Sequence, residues 1–292
     1  MPKHEINGQQ IYYEDSGGGG LPIVFSHGLL MDHEMFAPQV DALRSQYRVI
    51  TWDERCHGLT ETTTDPFTYW DSADDLAGLL DHLGIERAVV GGMSQGGLLS
   101  LRFALRHPGR VIALLLLDTQ AGKEDPDKVH TYGLMLEVWE SEGLHDPMAE
   151  TIAAIMFGSD WPGREPWIAK WRMRPLEQLR QMFHPLVERE DLHDRLGEIL
   201  APALVIHGTA DNAIDMELAE RLCAGLANCR GVVKIEGAGL PPTSRIRSRS
   251  TAPCSRSWAR SRPRPRRKAG PSRERPAPSD CPSRTPVDRR CS

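Results

Sequence analysis

Residues 87–106 read RAVVGGMSQGGLLSLRFALR. The opening RAVVGG is a short apolar run, as suits a strand buried on both faces of a parallel sheet. From Gln95 onward the residues read as a helix, closed by His107-Pro108-Gly109. Between the two lies Gly92-Met93-Ser94-Gln95-Gly96, followed by Gly97. Small residues two before and two after a serine let the two backbones pass closely, so strand turns into helix within a few residues. The serine hydroxyl is then held out at the end of the sheet. The helix N-terminus adds partial positive charge where an oxyanion would form. The five-residue pattern alone is weak, because Gly and Ser are common. Between a buried strand and a helix it marks Ser94 as a nucleophile rather than a structural turn.

The same rhythm extends both ways. Apolar runs at 22–26 (PIVFS), 48–53 (RVITWD), 111–117 (VIALLLL), 203–207 (ALVIH) and 231–236 (GVVKIE) predict further strands. Residues 7–13 read as a hairpin arm turning at Asn7-Gly8. Helices are predicted over 70–83 and 215–227. Strands alternating with helices imply an α/β fold with a doubly wound, mostly parallel sheet. The stretch 122–196 breaks the alternation. It is helical in character and carries large apolar residues, among them Met156, Trp161, Trp167, Trp171 and Met173. Two readings apply: extra helices packed on the core, or a lid over a site at the carboxyl ends of the strands, where open α/β sheets bind ligands. The expected organisation is a core of 1–121 and 197–239 with a helical cap of 122–196.

The chain of 292 residues carries a formal net charge of −5, but the charge is unevenly placed. Residues 240–292 hold 15 Lys and Arg against 3 Asp and Glu; residues 1–239 hold 20 against 37. An acidic body does not seek nucleic acid or anionic membrane. The N-terminus lacks an apolar signal-peptide core, and no run reaches membrane-spanning length, so a cytoplasmic location is expected. Cys56, Cys223, Cys229, Cys254, Cys281 and Cys291 show no metal-ligand spacing and read as free thiols in a reducing compartment. No cofactor and no metal are expected.

Two further motifs complete the pattern. His27-Gly28-Leu29-Leu30 follows the first buried strand. The Leu29 N–H there can pair with the Gln95 N–H to bind an oxyanion. His27 precedes the nucleophile in the chain and reads as a structural histidine beside the pocket. Asp53-Glu54-Arg55-Cys56-His57-Gly58 follows the next strand, and Gly208-Thr209-Ala210-Asp211 follows a late one. With the serine turn, these motifs make the chain resemble the α/β-hydrolase superfamily, and within it the small capped bacterial esterases and lactonases related to enol-lactonases. The resemblance covers residues 5–239. It implies attack by Ser94 on a small-molecule ester or lactone, with a homodimer admitted as an assembly. Perhydrolysis and C–C hydrolysis use the same residues and stay open. So does a catalytically dead binding protein on the same fold. Asp211 is the expected acid, with Asp118 the alternative; its work is to orient and stabilise an imidazolium. His27, Met156, Trp161 and Trp167 are the expected pocket residues. Cys56 stands where the superfamily usually has Gly and reads as a tolerated loop residue.

One position departs from the superfamily. Its catalytic histidine is expected shortly after the last strand, but the chain reads Glu236-Gly237-Ala238-Gly239-Leu240, and no histidine follows His207. His57 and His184 would need unusual geometry to substitute. Composition changes at the same residue: Arg, Pro and Ser dominate from 240 on, with ten of the 22 prolines. A shifted reading frame at codon 240 accounts for both facts. Loss of one base from a Gly-His-Ala-Ala-Asn-Leu sequence, with suitable codons, yields Leu-Pro-Pro-Thr-Ser. The rival reading is a natural basic arm that contacts nucleic acid through phosphates. Either way the composition predicts a disordered tail.

Overall fold

A computed structural model describes residues 3–158 and 161–239. The expectations attached to Leu240 and to the 240–292 tail lie outside these residues. Strands β1 (Lys3–Ile6) and β2 (Gln9–Asp15) form an antiparallel hairpin in which Ile6 pairs with Gln9. The two loop residues, Asn7 and Gly8, have φ of 49° and 76°. That is the geometry for which Asn-Gly is favoured in two-residue hairpins. Next come β3 (Leu21–Ser26), β4 (Tyr47–Trp52), β5 (Ala88–Met93), β6 (Val111–Leu117), β7 (Ala203–Gly208) and β8 (Cys229–Ile235). They make one eight-stranded sheet in the order β1-β2-β4-β3-β5-β6-β7-β8. From β4 to β8 every pairing is parallel. The strands at its centre, β5 and β6, are buried almost throughout, as their uninterrupted apolar runs require.

The helices are α1 (Ala37–Leu43), α2 (Tyr69–His82), α3 (Gln95–Arg106), α4 (Pro126–Glu142), α5 (Asp146–Phe157), α6 (Glu165–Arg172), α7 (Leu176–Val187) and α8 (Met216–Gly225). Thr68 and Asp71 close a capping box at the start of α2. Helices α4 to α7 all fall between β6 and β7, inside the stretch where the sequence breaks its alternation. Their large apolar residues have divided fates. Trp139 and Trp171 are fully buried, whereas Met173 is 85% exposed. Side-chain contacts bind these helices to the sheet loops, among them three groups at the loops after β3 and β7. The Trp171 indole N–H donates to the Leu30 carbonyl at 2.9 Å. Lys170 Nζ pairs with Asp32 at 2.6 Å and Glu34 at 2.9 Å. Lys128 Nζ donates to the Ala213 carbonyl at 2.7 Å.

The expectation of free thiols is corrected at two positions. Cys223, on α8, and Cys229, at the start of β8, form a disulfide with Cα atoms 5.4 Å apart. The short α8–β8 connection brings the two within bonding reach, which the sequence spacing alone did not reveal. Cys56 is a free, buried thiol. Its φ of 63° lies in the left-handed region that glycine adopts most readily. Among the described residues, no helix is long and apolar enough to cross a membrane.

Candidate active site

Ser94 sits between β5 and α3 with φ 50° and ψ −111°, a strained conformation for a residue with a side chain. The glycines around it are required by space. A Cβ on Gly92 would collide with the Gly96 backbone, one on Gly96 with the Ser26 carbonyl, and one on Gly97 with Thr119. The turn opens into a cavity of 110 Å³ at the carboxyl ends of the strands. Leu29 and Ser94 line it from the core, and Tyr132, Ile152, Met156 and Phe183 line it from the cap.

Of the expected pocket residues, Met156 is on the wall; His27, Trp161 and Trp167 are not among the lining residues. His27 is held by the frame: Nδ1 bonds the Gly28 carbonyl at 2.8 Å, and Nε2 accepts from the Glu54 N–H at 3.0 Å. Burial lowers its pKa. Trp161 packs on the Phe157 ring, and Trp167 lies under the Lys170 ammonium. Wall residues that the sequence did not suggest are Glu124 and Arg189. They form an ion pair at 3.1 Å with side chains 7% and 2% exposed. No local signal links positions so far apart in sequence.

The two expected oxyanion donors come from different elements. Leu29 is in a turn closed by the Met31 N–H on the Gly28 carbonyl at 3.1 Å, with Leu30 at φ 63°. The Gln95 N–H is at the first helical position, where it has no acceptor within the helix. The Gln95 side chain turns inward and donates to the buried Glu54 carboxyl.

The two acid positions suggested by the sequence belong to one cluster. Asp211 Oδ1 accepts from the N–H groups of Ala213 at 2.7 Å and Ile214 at 3.1 Å, and both residues line the cavity. Burial raises its pKa against those two bonds. Asp118, just past β6 with φ 40°, accepts from the Gly208 N–H at 2.8 Å. Burial, and then the charge of Asp211, push its carboxyl well above the usual range. Between them stands His207, whose Nε2 donates to the Ile214 carbonyl at 2.9 Å. Among the described residues, Asp118 Oδ2, His207 Nδ1 and Asp211 Oδ2 find no hydrogen-bond partner. In the sequence His207 closes the apolar run 203–207, at the end of a strand. The available signal was its position: Asp118 and His207 lie at the same ends of neighbouring parallel strands.

Among the described residues no histidine lines the cavity. His57 is buried with Nδ1 on the Arg55 carbonyl at 2.8 Å, and burial and then His27 lower its pKa well below the ordinary value. His184 is half-buried on α7, away from the wall. The described chain ends at Gly239, beside the acid loop: the Ala210 N–H donates to the Ala238 carbonyl at 2.8 Å.

A strained serine on a strand-to-helix turn, opening beneath a helical cap, defines the class of protein. The alpha/beta hydrolase fold family matches residues 22–239, and the chain belongs to it. Among its relatives is 3-oxoadipate enol-lactonase 1 of Acinetobacter baylyi, 30% identical over 209 residues, covering 70% of this chain and 77% of the relative. Two solved structures are similar at 29% identity and a TM-score of 0.77. One is the enol-lactonase of Burkholderia xenovorans LB400, with 89% of this chain and 99% of that one covered. The other is a thermophilic esterase of Thermogutta terrifontis, with 88% and 96% covered.

Proposed function

We propose that the chain is built to cleave a carboxylic ester or lactone through an acyl-enzyme on Ser94. The observation that carries this reading is the strained Ser94 turn opening into an apolar, capped cavity. Ser94 Oγ attacks the carbonyl carbon, and the Leu29 and Gln95 N–H groups receive the oxyanion. The alcohol leaves, and water releases the acid. The cap wall of Met156, Ile152 and Phe183 favours an apolar acyl group. Relatives described as an esterase and as enol-lactonases support the same chemistry.

Asp211 would orient an imidazole in this chemistry, but among the described residues no histidine lines the cavity. The sequence as given therefore runs the reaction orders of magnitude below a complete triad, on oxyanion stabilisation and binding alone. The test is hydrolysis of a short-chain p-nitrophenyl ester by this chain, by Ser94→Ala, and by Leu240→His with the frame restored. Activity confined to the restored protein supports the reading. Robust Ser94-dependent activity in the chain as given means that another base serves and overturns the account of the triad.

The lack of a histidine among the described cavity-lining residues also favours a second reading: a non-catalytic binding protein that retains intact esters. Failure of a fluorophosphonate probe to label Ser94 in both the given and the restored chain would support it.

A further inference from the structure

We propose that the Ser94 cavity selects an ester or lactone whose otherwise apolar body carries one neutral group that both donates and accepts hydrogen bonds, a hydroxyl or a carboxamide. The proposal rests on the ester reading and names its substrate class. The selecting residues are Gln120 and Glu124 between β6 and α4, Tyr132 on α4, and Arg189 just after α7. Apart from Ser94, the rest of the lining is apolar. Each of the four keeps unused hydrogen-bonding capacity. Arg189 commits Nε to the Gly122 carbonyl at 2.8 Å, and Nη1 to the Leu186 carbonyl at 2.6 Å and to Glu124 Oε2 at 3.1 Å, which leaves Nη2. Glu124 Oε1 accepts from the Asp125 N–H at 3.1 Å, so each carboxylate oxygen keeps a lone pair. Among the described residues, the Tyr132 hydroxyl and the Gln120 carboxamide find no hydrogen-bond partner, although Gln120 is only 7% exposed. A wholly apolar ligand filling the cavity would leave these groups unpaired, which is costly.

The ion pair decides the charge of the selected group. The Arg189 and Glu124 side chains, 2% and 7% exposed, already neutralise each other. A carboxylate beside them would leave one net negative charge in a buried wall, and an ammonium one net positive charge. Both are penalised where water cannot solvate them. A neutral hydroxyl or carboxamide adds no charge. Its oxygen accepts from Arg189 Nη2 or from the Tyr132 hydroxyl, and its hydrogen goes to Glu124. Tyr132 remains a donor at every ordinary pH, because burial and then the Glu124 charge push its pKa up to about 12. The Tyr132 ring is packed against Phe183, with centroids 5.7 Å apart, which holds the hydroxyl in place. A few polar groups set into an apolar wall are the usual means by which a pocket orients its ligand.

The test reads binding to the full chain by titration calorimetry, with ketones that replace the ester and cannot be hydrolysed. The parent probe is methyl hexyl ketone. The others carry a hydroxyl, a carboxamide, a carboxylate or an ammonium group at each chain position in turn. At the matching position a neutral polar probe should bind about fivefold tighter than the parent. The carboxylate and ammonium probes should bind about tenfold weaker than the parent at every position. Tyr132→Phe should keep the parent's affinity within about twofold and remove about threefold of the neutral probe's gain. Glu124→Gln leaves the Arg189 charge unbalanced and should turn the preference toward the carboxylate probe. A carboxylate preferred by the unaltered chain, equal affinity for the neutral polar probes and the parent, or no binding of any probe overturns the proposal. If Glu124→Gln fails to fold, the order of probes on the unaltered chain and on Tyr132→Phe decides. Because affinity is read without turnover, failure here leaves the Ser94 reading to the p-nitrophenyl ester test, and failure there leaves this order of affinities standing.

Discussion

The Gly96 Cα lies so close to the Ser26 carbonyl at the end of β3 that no Cβ fits between them. This single approach fixes how near α3 stands to the sheet, and hence where Ser94 is held. Gly96→Ala should destabilise the fold by about 3 kcal/mol, since the obstacle is backbone that cannot rotate away. Urea unfolding checks this, and a wild-type midpoint would show that α3 shifts freely.

Ser94 has the opposite character, because its strain serves position rather than stability. Replacing it with glycine, which tolerates φ 50°, should raise stability by about 1 kcal/mol and remove all Ser94-dependent ester turnover. Differential scanning calorimetry gives the sign.

Glu54 is almost fully buried beneath the site, and burial pushes its pKa from 4.5 up to about 8. A carboxyl whose folded pKa is raised binds its proton more tightly when folded. Its contribution to stability is therefore complete below pH 4.5 and declines until about pH 8. Glu54→Gln, which cannot ionise, should gain on the parent by about 1 kcal/mol per pH unit across that window. Parallel melting curves at intervals from pH 5 to pH 8, with a constant difference between the two proteins, would refute this.

The Glu124–Arg189 pair is buried in the cavity wall. Arg189→Met leaves the Glu124 carboxylate without its countercharge and should cost about 3 kcal/mol. Adding Glu124→Leu should recover the part of that loss due to the bare carboxylate, while the Gly122 and Leu186 carbonyls stay without the Arg189 donor. Denaturant titration of both variants measures the difference; equal losses would mean that packing and the Arg189 bonds to backbone carbonyls, rather than charge, are responsible.

Peptide mapping without reductant should recover Cys223 linked to Cys229. Reduction should lower stability by about 2 kcal/mol, as a short closed loop allows. Finding both thiols free in the mapped peptides would remove the bond from the fold.

Much of the sheet is legible in the sequence because parallel strands buried on both faces are written as unbroken apolar runs. The segment 111–117 matches β6 to the residue, and 95–106 matches α3. The individual cap helices were not legible, because their apolar residues face the core, the cavity and solvent in turn, as Trp171, Met156 and Met173 do. Ser94 stands out because its turn needs glycines at fixed offsets. The Asp118–His207–Asp211 cluster does not, because pairing of β6 with β7 creates it across some ninety residues. Trp161 and Trp167 misled because size and aromaticity cannot tell a residue that faces a cavity from one that packs against its neighbours.

The hydrogen bond from Trp171 to the Leu30 carbonyl bears on how such a protein could be re-engineered. The turn that presents Leu29 is held from the cap side as well as by its own strand. Grafting a foreign cap onto this sheet would have to bring a tryptophan to the same spot, or replace loop 28–31 with it. Cap and loop are best exchanged together, as one unit of inheritance.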